Sequence, residues 1–156
     1  MKERIIVALD FDRFEVAKSM VETLEDAVFY KVGLQAFLKY GPRILEFLKD
    51  KKKKVFLDLK FKDIPNTVFW AVKSAMSYNP RFVSVHLSGG REMLKKAVLA
   101  SKDSPDMKIL GVSVLTSFAD KDLSETGVEM TTDDAVVKLC SLGVESGLDS
   151  FVCSPL

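Results

Sequence analysis

At 156 residues, 47% hydrophobic and 29% charged, the chain has the make-up of a globular protein with a sizeable core, which excludes a disordered segment. Its 23 Lys and Arg nearly cancel its 22 Asp and Glu, so no global charge points to nucleic acid or to a membrane surface, and partner choice falls to a local site. No apolar run is long enough to span a bilayer, and the N-terminus lacks the charged and apolar regions of a signal peptide, so the fold is expected to begin at residue 1. Cys140 and Cys153 lie outside any C-x-x-C spacing and show no disulfide framework, for which a reducing cytoplasm fits best.

Short apolar runs alternate with longer amphipathic stretches, the pattern of parallel strands joined by crossover helices. The first strand is expected at 5–9, ending on Asp10, with a helix over 14–24. A second strand at 28–32 carries Lys31, and the spacing predicts one helix over 36–48 with Ile44, Leu45 and Leu48 in the core. The lysine run 51–54 marks a solvated connection to a third strand at 55–59. A helix over 66–77 is opened by Pro65, and a strand at 82–86 leads to a helix over 90–100. A strand at 109–114, a short helix near Lys121 and a helix over 133–146 precede a sixth strand at 151–153. In that last helix Val136, Val137, Leu139 and Cys140 are expected to pack inward. No Gly/Pro-rich linker divides residues 1–156, which makes one domain the economical reading.

The third strand carries the most informative residues. Alternation sends Asp58 and Lys60 to one face, with Leu59 opposite, and Asp63 lies just beyond. Isolated buried ions are costly unless they pair, so a strand end that gathers two carboxylates and an ammonium suggests chemistry. The plainer alternative makes Asp58 and Lys60 a solvated rim pair and Asp63 a helix-capping carboxylate. Singly, Asp10 can equally be an Asx or capping residue, Lys31 a solvated strand end and Thr116 a turn residue. Yet Asp10, Lys31, Asp58 with Lys60, His86, and Thr116 with Ser117 each fall at or just beyond the C-terminal end of a successive strand. An open doubly wound sheet spreads such ends along its edge, whereas a (β/α)8 TIM barrel gathers them at one mouth, where barrel enzymes hold their catalytic groups. Six strands do not close eight, so the chain is read as the first six β/α units of a barrel, with the C-terminal part absent.

Several strings occur in order along the whole chain: Val7-Ala8-Leu9-Asp10, Lys31-Val32-Gly33, Asp58-Leu59-Lys60-Phe61-Lys62-Asp63-Ile64-Pro65-Asn66-Thr67, Val85-His86-Leu87-Ser88-Gly89-Gly90, Leu115-Thr116-Ser117 and Val152-Cys153-Ser154-Pro155. On these residues the sequence resembles the orotidine 5'-phosphate decarboxylase family. D-x-K-x-x-D is shared across a wider barrel superfamily; the extended D-L-K-F-x-D-I-P-N-T string is much more specific. The resemblance implies a cofactor-free and metal-free decarboxylation of orotidine 5'-monophosphate to uridine 5'-monophosphate, the last step of pyrimidine nucleotide synthesis, at the mouth of a homodimeric barrel.

The resemblance further implies Lys60 as proton donor, Asp58 facing the departing carboxylate and fixing Lys60, and Lys31 completing the charge arrangement while contacting the ribose. It implies that Asp63 and Thr67 reach the neighbouring subunit's site, that Asp10 binds a ribose hydroxyl, and that Thr116 touches the pyrimidine, with Ser117 and Ile64 as further substrate contacts. His86 is read as a structural strand end held by local hydrogen bonds, Gly89 and Gly90 as close-packing positions, and Trp70 as a core or dimer residue. Seventh and eighth strands, whose loops hold the phosphate in that family, match nothing in this sequence. Two rivals stand beside this reading. One is a magnesium-dependent hexulose-phosphate synthase or keto-gulonate-phosphate decarboxylase, against which Ile64-Pro65-Asn66-Thr67 and Leu115-Thr116-Ser117 argue; the other is a non-catalytic fragment that retains the motif.

Overall fold

The apolar runs become six strands in the computed structural model, which describes residues 4–154. Pro155 of the last string, and the expected start at residue 1, lie outside the described residues. The strands are β1 (Ile6–Ala8), β2 (Phe29–Gly33), β3 (Lys54–Phe61), β4 (Phe82–His86), β5 (Lys108–Val112) and β6 (Ser150–Val152). They form one sheet in the order β1-β2-β3-β4-β5-β6, every neighbouring pair parallel. A doubly wound sheet reverses its strand order at a switch point. No reversal occurs here, so the sheet is six consecutive staves of a β/α barrel.

Seven helices connect the described strands: α1 (Phe14–Thr23), α2 (Leu34–Tyr40), α3 (Pro42–Asp50), α4 (Pro65–Met76), α5 (Arg91–Ser101), α6 (Asp120–Glu125) and α7 (Thr132–Glu145), with a 3-10 turn at Leu87–Gly89. The single helix expected over 36–48 is two. Gly41 has φ 57° and ψ −144°, a backbone that side chains resist, and Pro42 restarts the helix at its first turn. Ile44, Leu45 and Leu48 are buried as expected, against a core that includes Tyr30, Val32, Leu57, Val83 and Val85.

In α7 the expected inward face is rotated. Ala135 and Gly143 are buried, Val136, Leu139 and Cys140 are half-buried, and Val137 is 66% exposed. Gly143 sets this rotation: a Cβ there would stand 2.6 Å from Phe151 and 2.9 Å from Leu87, so only a bare backbone lets the helix approach on that side. A smaller core of Val114, Leu123 and Ala135, with Phe118, Val128 and Met130 packed on it, lies where α6 and α7 meet the end of β5.

The lysine run bridges α3 and β3 as expected. Lys51 pairs with Glu22 at 3.3 Å, and the Lys53 ammonium donates to the Glu25 and Ala27 carbonyls at 2.8 Å each. Both cysteines are free thiols. No helix among the described residues is long and apolar enough to cross a membrane.

Candidate active site

Asp58 is the one charged residue among the described residues that is essentially buried, at 8% exposure. A carboxylate in that position requires partners for both oxygens. Its Oδ2 accepts from Lys60 Nζ at 2.8 Å and lies 3.8 Å from Lys31 Nζ. Its Oδ1 accepts from Ser84 Oγ at 2.8 Å.

Lys60 reaches Asp58 by a route that strand alternation does not describe. The β3–β4 register advances from Leu57 opposite Val83 to Phe61 opposite Val85, so β3 bulges between those points. Within the bulge Lys60 has φ 50°, a left-handed backbone that costs a non-glycine residue about 1–3 kcal/mol. The Lys60 backbone N–H donates to Ser84 Oγ at 2.9 Å, which ties the bulge to β4. Ser84, fully buried in mid-strand, thus serves both the carboxylate and the strained backbone. Sequence reasoning missed it; the one signal was a small hydroxyl at the centre of the otherwise apolar run Phe82-Val83-Ser84-Val85.

Lys31, on β2, extends the arrangement. Its Nζ lies 3.1 Å and 3.3 Å from the oxygens of Asp10, just past β1. Asp10, Lys31, Asp58 and Lys60 therefore form a chain of charges alternating in sign from just past β1 across β2 and β3, with Lys31 and Asp58 inside their strands rather than at the expected ends. Gly33 makes room for it, since a Cβ there would sit 3.1 Å from Asp10 Oδ1 and 3.3 Å from Lys31 Nζ.

The remaining predicted residues stand apart from this quartet. Asp63, Ile64, Thr67, Thr116 and Ser117 are all exposed, and none bonds to the quartet among the described residues. Asp63 Oδ1 accepts from the Ile64 N–H at 2.7 Å, while α4 is entered through Ile64 with no side-chain cap; the capping alternative for Asp63 is not what is found. Trp70 is 60% exposed, its ring edge-on to Phe69, so it is not a core residue. Gly89 is a close-packing position as expected, because a Cβ would collide with Met93.

His86, at the end of β4, departs from its reading. Its ring meets no hydrogen-bond partner among the described residues and instead borders a cavity of about 520 Å³ shared with Lys62, Ser88, Val114, Phe118 and Leu139. Partial burial, then the nearby Lys62 and Lys60 charges, hold its pKa below the usual histidine value, against a smaller opposing pull from Asp58. Its surroundings thus favour the neutral ring. No group of three or more His, Cys, Asp or Glu placed to hold a metal occurs among the described residues. What the quartet offers is an ammonium fixed against a buried carboxylate, suited to stabilising a developing anion and to delivering a proton.

The family model described as orotidine 5'-phosphate decarboxylase / HUMPS matches residues 3–156. Orotidine 5'-phosphate decarboxylase from Nostoc sp. is 48% identical over 61% of this chain and 40% of its own length. The enzyme of that name from Carboxydothermus hydrogenoformans is 45% identical over 73% and 50%, and that from Staphylococcus saprophyticus 39% over 100% and 69%. The chain thus spans 40–50% of the first two relatives and about two thirds of the third. A conserved protein of Geobacillus kaustophilus superposes with a TM-score of 0.88 at 36% identity, covering 95% of this chain and 72% of that one. Orotidine 5'-phosphate decarboxylase from Lactobacillus acidophilus gives 0.87 at 34%, covering 97% and 71%. A family match through nearly every residue, on a fold shared at such identities, goes beyond local likeness: the chain belongs to the orotidine 5'-phosphate decarboxylase / HUMPS family.

Proposed function

We propose that the chain carries the charged half of a site that converts orotidine 5'-monophosphate to uridine 5'-monophosphate and carbon dioxide, with neither metal nor organic cofactor. The observation that carries this reading is the Lys60 ammonium 2.8 Å from a buried Asp58 carboxylate, whose same oxygen faces Lys31. When the C6 carboxylate leaves, its bonding electron pair stays on C6 with little resonance relief. A fixed ammonium beside that carbon lowers the energy of the developing charge and then donates the proton that replaces the carboxylate. Asp58 holds Lys60 in that position. Asp10 and Lys31 bind the ribose hydroxyls, and Thr116, Ser117 and Ile64 contact the substrate from the open side of the mouth.

Asp63 and Thr67 belong, in this reading, to the neighbouring subunit's site in a homodimer. Their exposure on α4 and on the turn before it supports this, as do the exposed Ile64 and Trp70 beside them. The free cysteines support a cytoplasmic setting.

The test is loss of orotidine monophosphate absorbance in a chelating buffer, with the chain at a defined oligomeric state, alone and with the C-terminal portion of a relative added. Turnover in chelator under either condition supports the proposal. Turnover of orotidine monophosphate only with added magnesium overturns the metal-free reading; silence with orotidine monophosphate but magnesium-dependent turnover of a keto-sugar phosphate transfers the site to sugar-phosphate chemistry, and silence with both removes the enzyme reading.

A further inference from the structure

Charge is close to balanced over the sequence, and many surface cations meet a carboxylate: Arg43 with Glu15, Arg91 with Glu145, Lys108 with Asp149 and Lys121 with Glu125. One region gathers cations more densely than carboxylates. At the end of the sheet opposite the mouth, where β3 begins, a cavity of about 490 Å³ is lined by Lys49, Lys52, Lys53, Lys54 and Arg81, with Asp106 its sole carboxylate. Asp106 is already engaged, its Oδ1 3.0 Å from Arg81 Nη1. The bonds from Lys53 to the Glu25 and Ala27 carbonyls hold its ammonium in place without neutralising it. Lys49 and Lys52 have no ion-pair partner among the described residues.

Crowding like charges around one concavity is unfavourable unless an anion enters it. Lys52 sharpens the point. It follows α3 with φ 55°, a position that glycine fills without penalty, yet the chain places a further cation there. Asn79, which also lines the cavity, shares this left-handed backbone, with φ 50°.

We propose that this cavity binds a polyphosphate anion, either free or as the phosphate tail of a nucleotide, at a site separate from the mouth. Lysine ammoniums act as mobile point charges suited to several phosphate oxygens at once, and a singly charged carboxylate could not compensate Lys49, Lys52 and Lys53 together. The volume lies within the range of small-molecule sites, and the cationic lining disfavours an apolar occupant. Tyr78, also in the lining, offers a ring against which a base can stack.

Inorganic tripolyphosphate, titrated calorimetrically into the 156-residue chain, is expected to bind at a single saturable site whose affinity falls as salt rises. The Lys49→Glu/Lys52→Glu variant should bind about tenfold or more weakly with unchanged circular dichroism. Lys95→Glu/Lys121→Glu, an equal charge change elsewhere, should leave affinity within about twofold. Lys52→Gly separates ligand binding from folding: it should hold or raise the melting temperature while weakening the anion, a combination that a purely structural lysine does not give. A nucleoside triphosphate distinguishes the sources, tighter binding assigning the nucleotide tail and equal binding the free polyphosphate, each in support of the site. Absence of saturable binding, or equal loss in both double variants, overturns the proposal, and neither result depends on decarboxylation.

Discussion

The two sides of the mouth are built differently. From the end of β1 across β2 and β3 the charges are locked to one another, with both oxygens of Asp58 occupied and Lys31 held between Asp10 and Asp58. Past β5, Thr116 and Ser117 stand exposed beside a largely apolar cavity. Under the proposed function, the difference follows from what each side would do before a ligand arrives. Charges meant to act on a reaction have to be oriented in advance, because reorganising them during the reaction forfeits their effect. Groups that only touch a substrate can stay solvated until it displaces their water.

The strongest way to break this contrast is Lys60→Ala on the locked side. Turnover should fall by orders of magnitude while binding of a uridine monophosphate analogue stays measurable by titration; an unchanged single-turnover rate would take Lys60 out of the chemistry. Next is mixing Lys60→Ala subunits with Asp63→Ala subunits. Shared sites predict partial recovery of activity, and proven subunit exchange without recovery would place Asp63 outside the partner's site. Ser84→Ala strips a donor from Asp58 and an acceptor from the Lys60 backbone, so urea denaturation should show a loss of about 1–3 kcal/mol, with kcat falling more than KM rises.

A smaller effect is expected at His86. Its folded pKa is depressed, so the unfolded chain takes up a proton first as acidity rises. Its contribution is therefore intact above the unfolded value of about 6.5 and is lost as pH falls from there through the folded value. His86→Gln should flatten the melting temperature against pH in that window, and an unaltered slope would assign the dependence to other groups. Least of all, Thr116→Ala on the open side should raise KM modestly and leave stability within about 0.5 kcal/mol. A large loss of stability there would show that the open side is as interlocked as the other.

How much of this could be read in advance depended on the range of the interactions involved. Periodicity reaches only a few residues, and it located all six strands, the burial of Ile44, Leu45 and Leu48, and Asp10 just past β1, whereas Lys31 and Asp58, expected at strand ends, lie within β2 and β3, which run on to Gly33 and Phe61. It brought Lys60 to Asp58 by regular alternation, whereas the contact is made through a bulge stabilised from β4. Ser84 stayed hidden for the same reason: its importance lies in a strand that follows 26 positions after Asp58. Gly41 divides a helix that apolar spacing reads as continuous, because backbone freedom leaves no mark on hydrophobic pattern. Val137 was misassigned because the rotation of α7 is set by the fit of Gly143 against Phe151 and Leu87.

The bulge in β3 also has a mechanical side. An irregularity of this kind bends its strand and adds twist, and curvature of a parallel sheet is what wraps it toward a barrel. Lys60 sits within that bend, anchored to the next strand through Ser84. A substitution that straightened β3 would therefore flatten the sheet as it scattered the charges, which couples the shape of the wall to the arrangement of its charged groups.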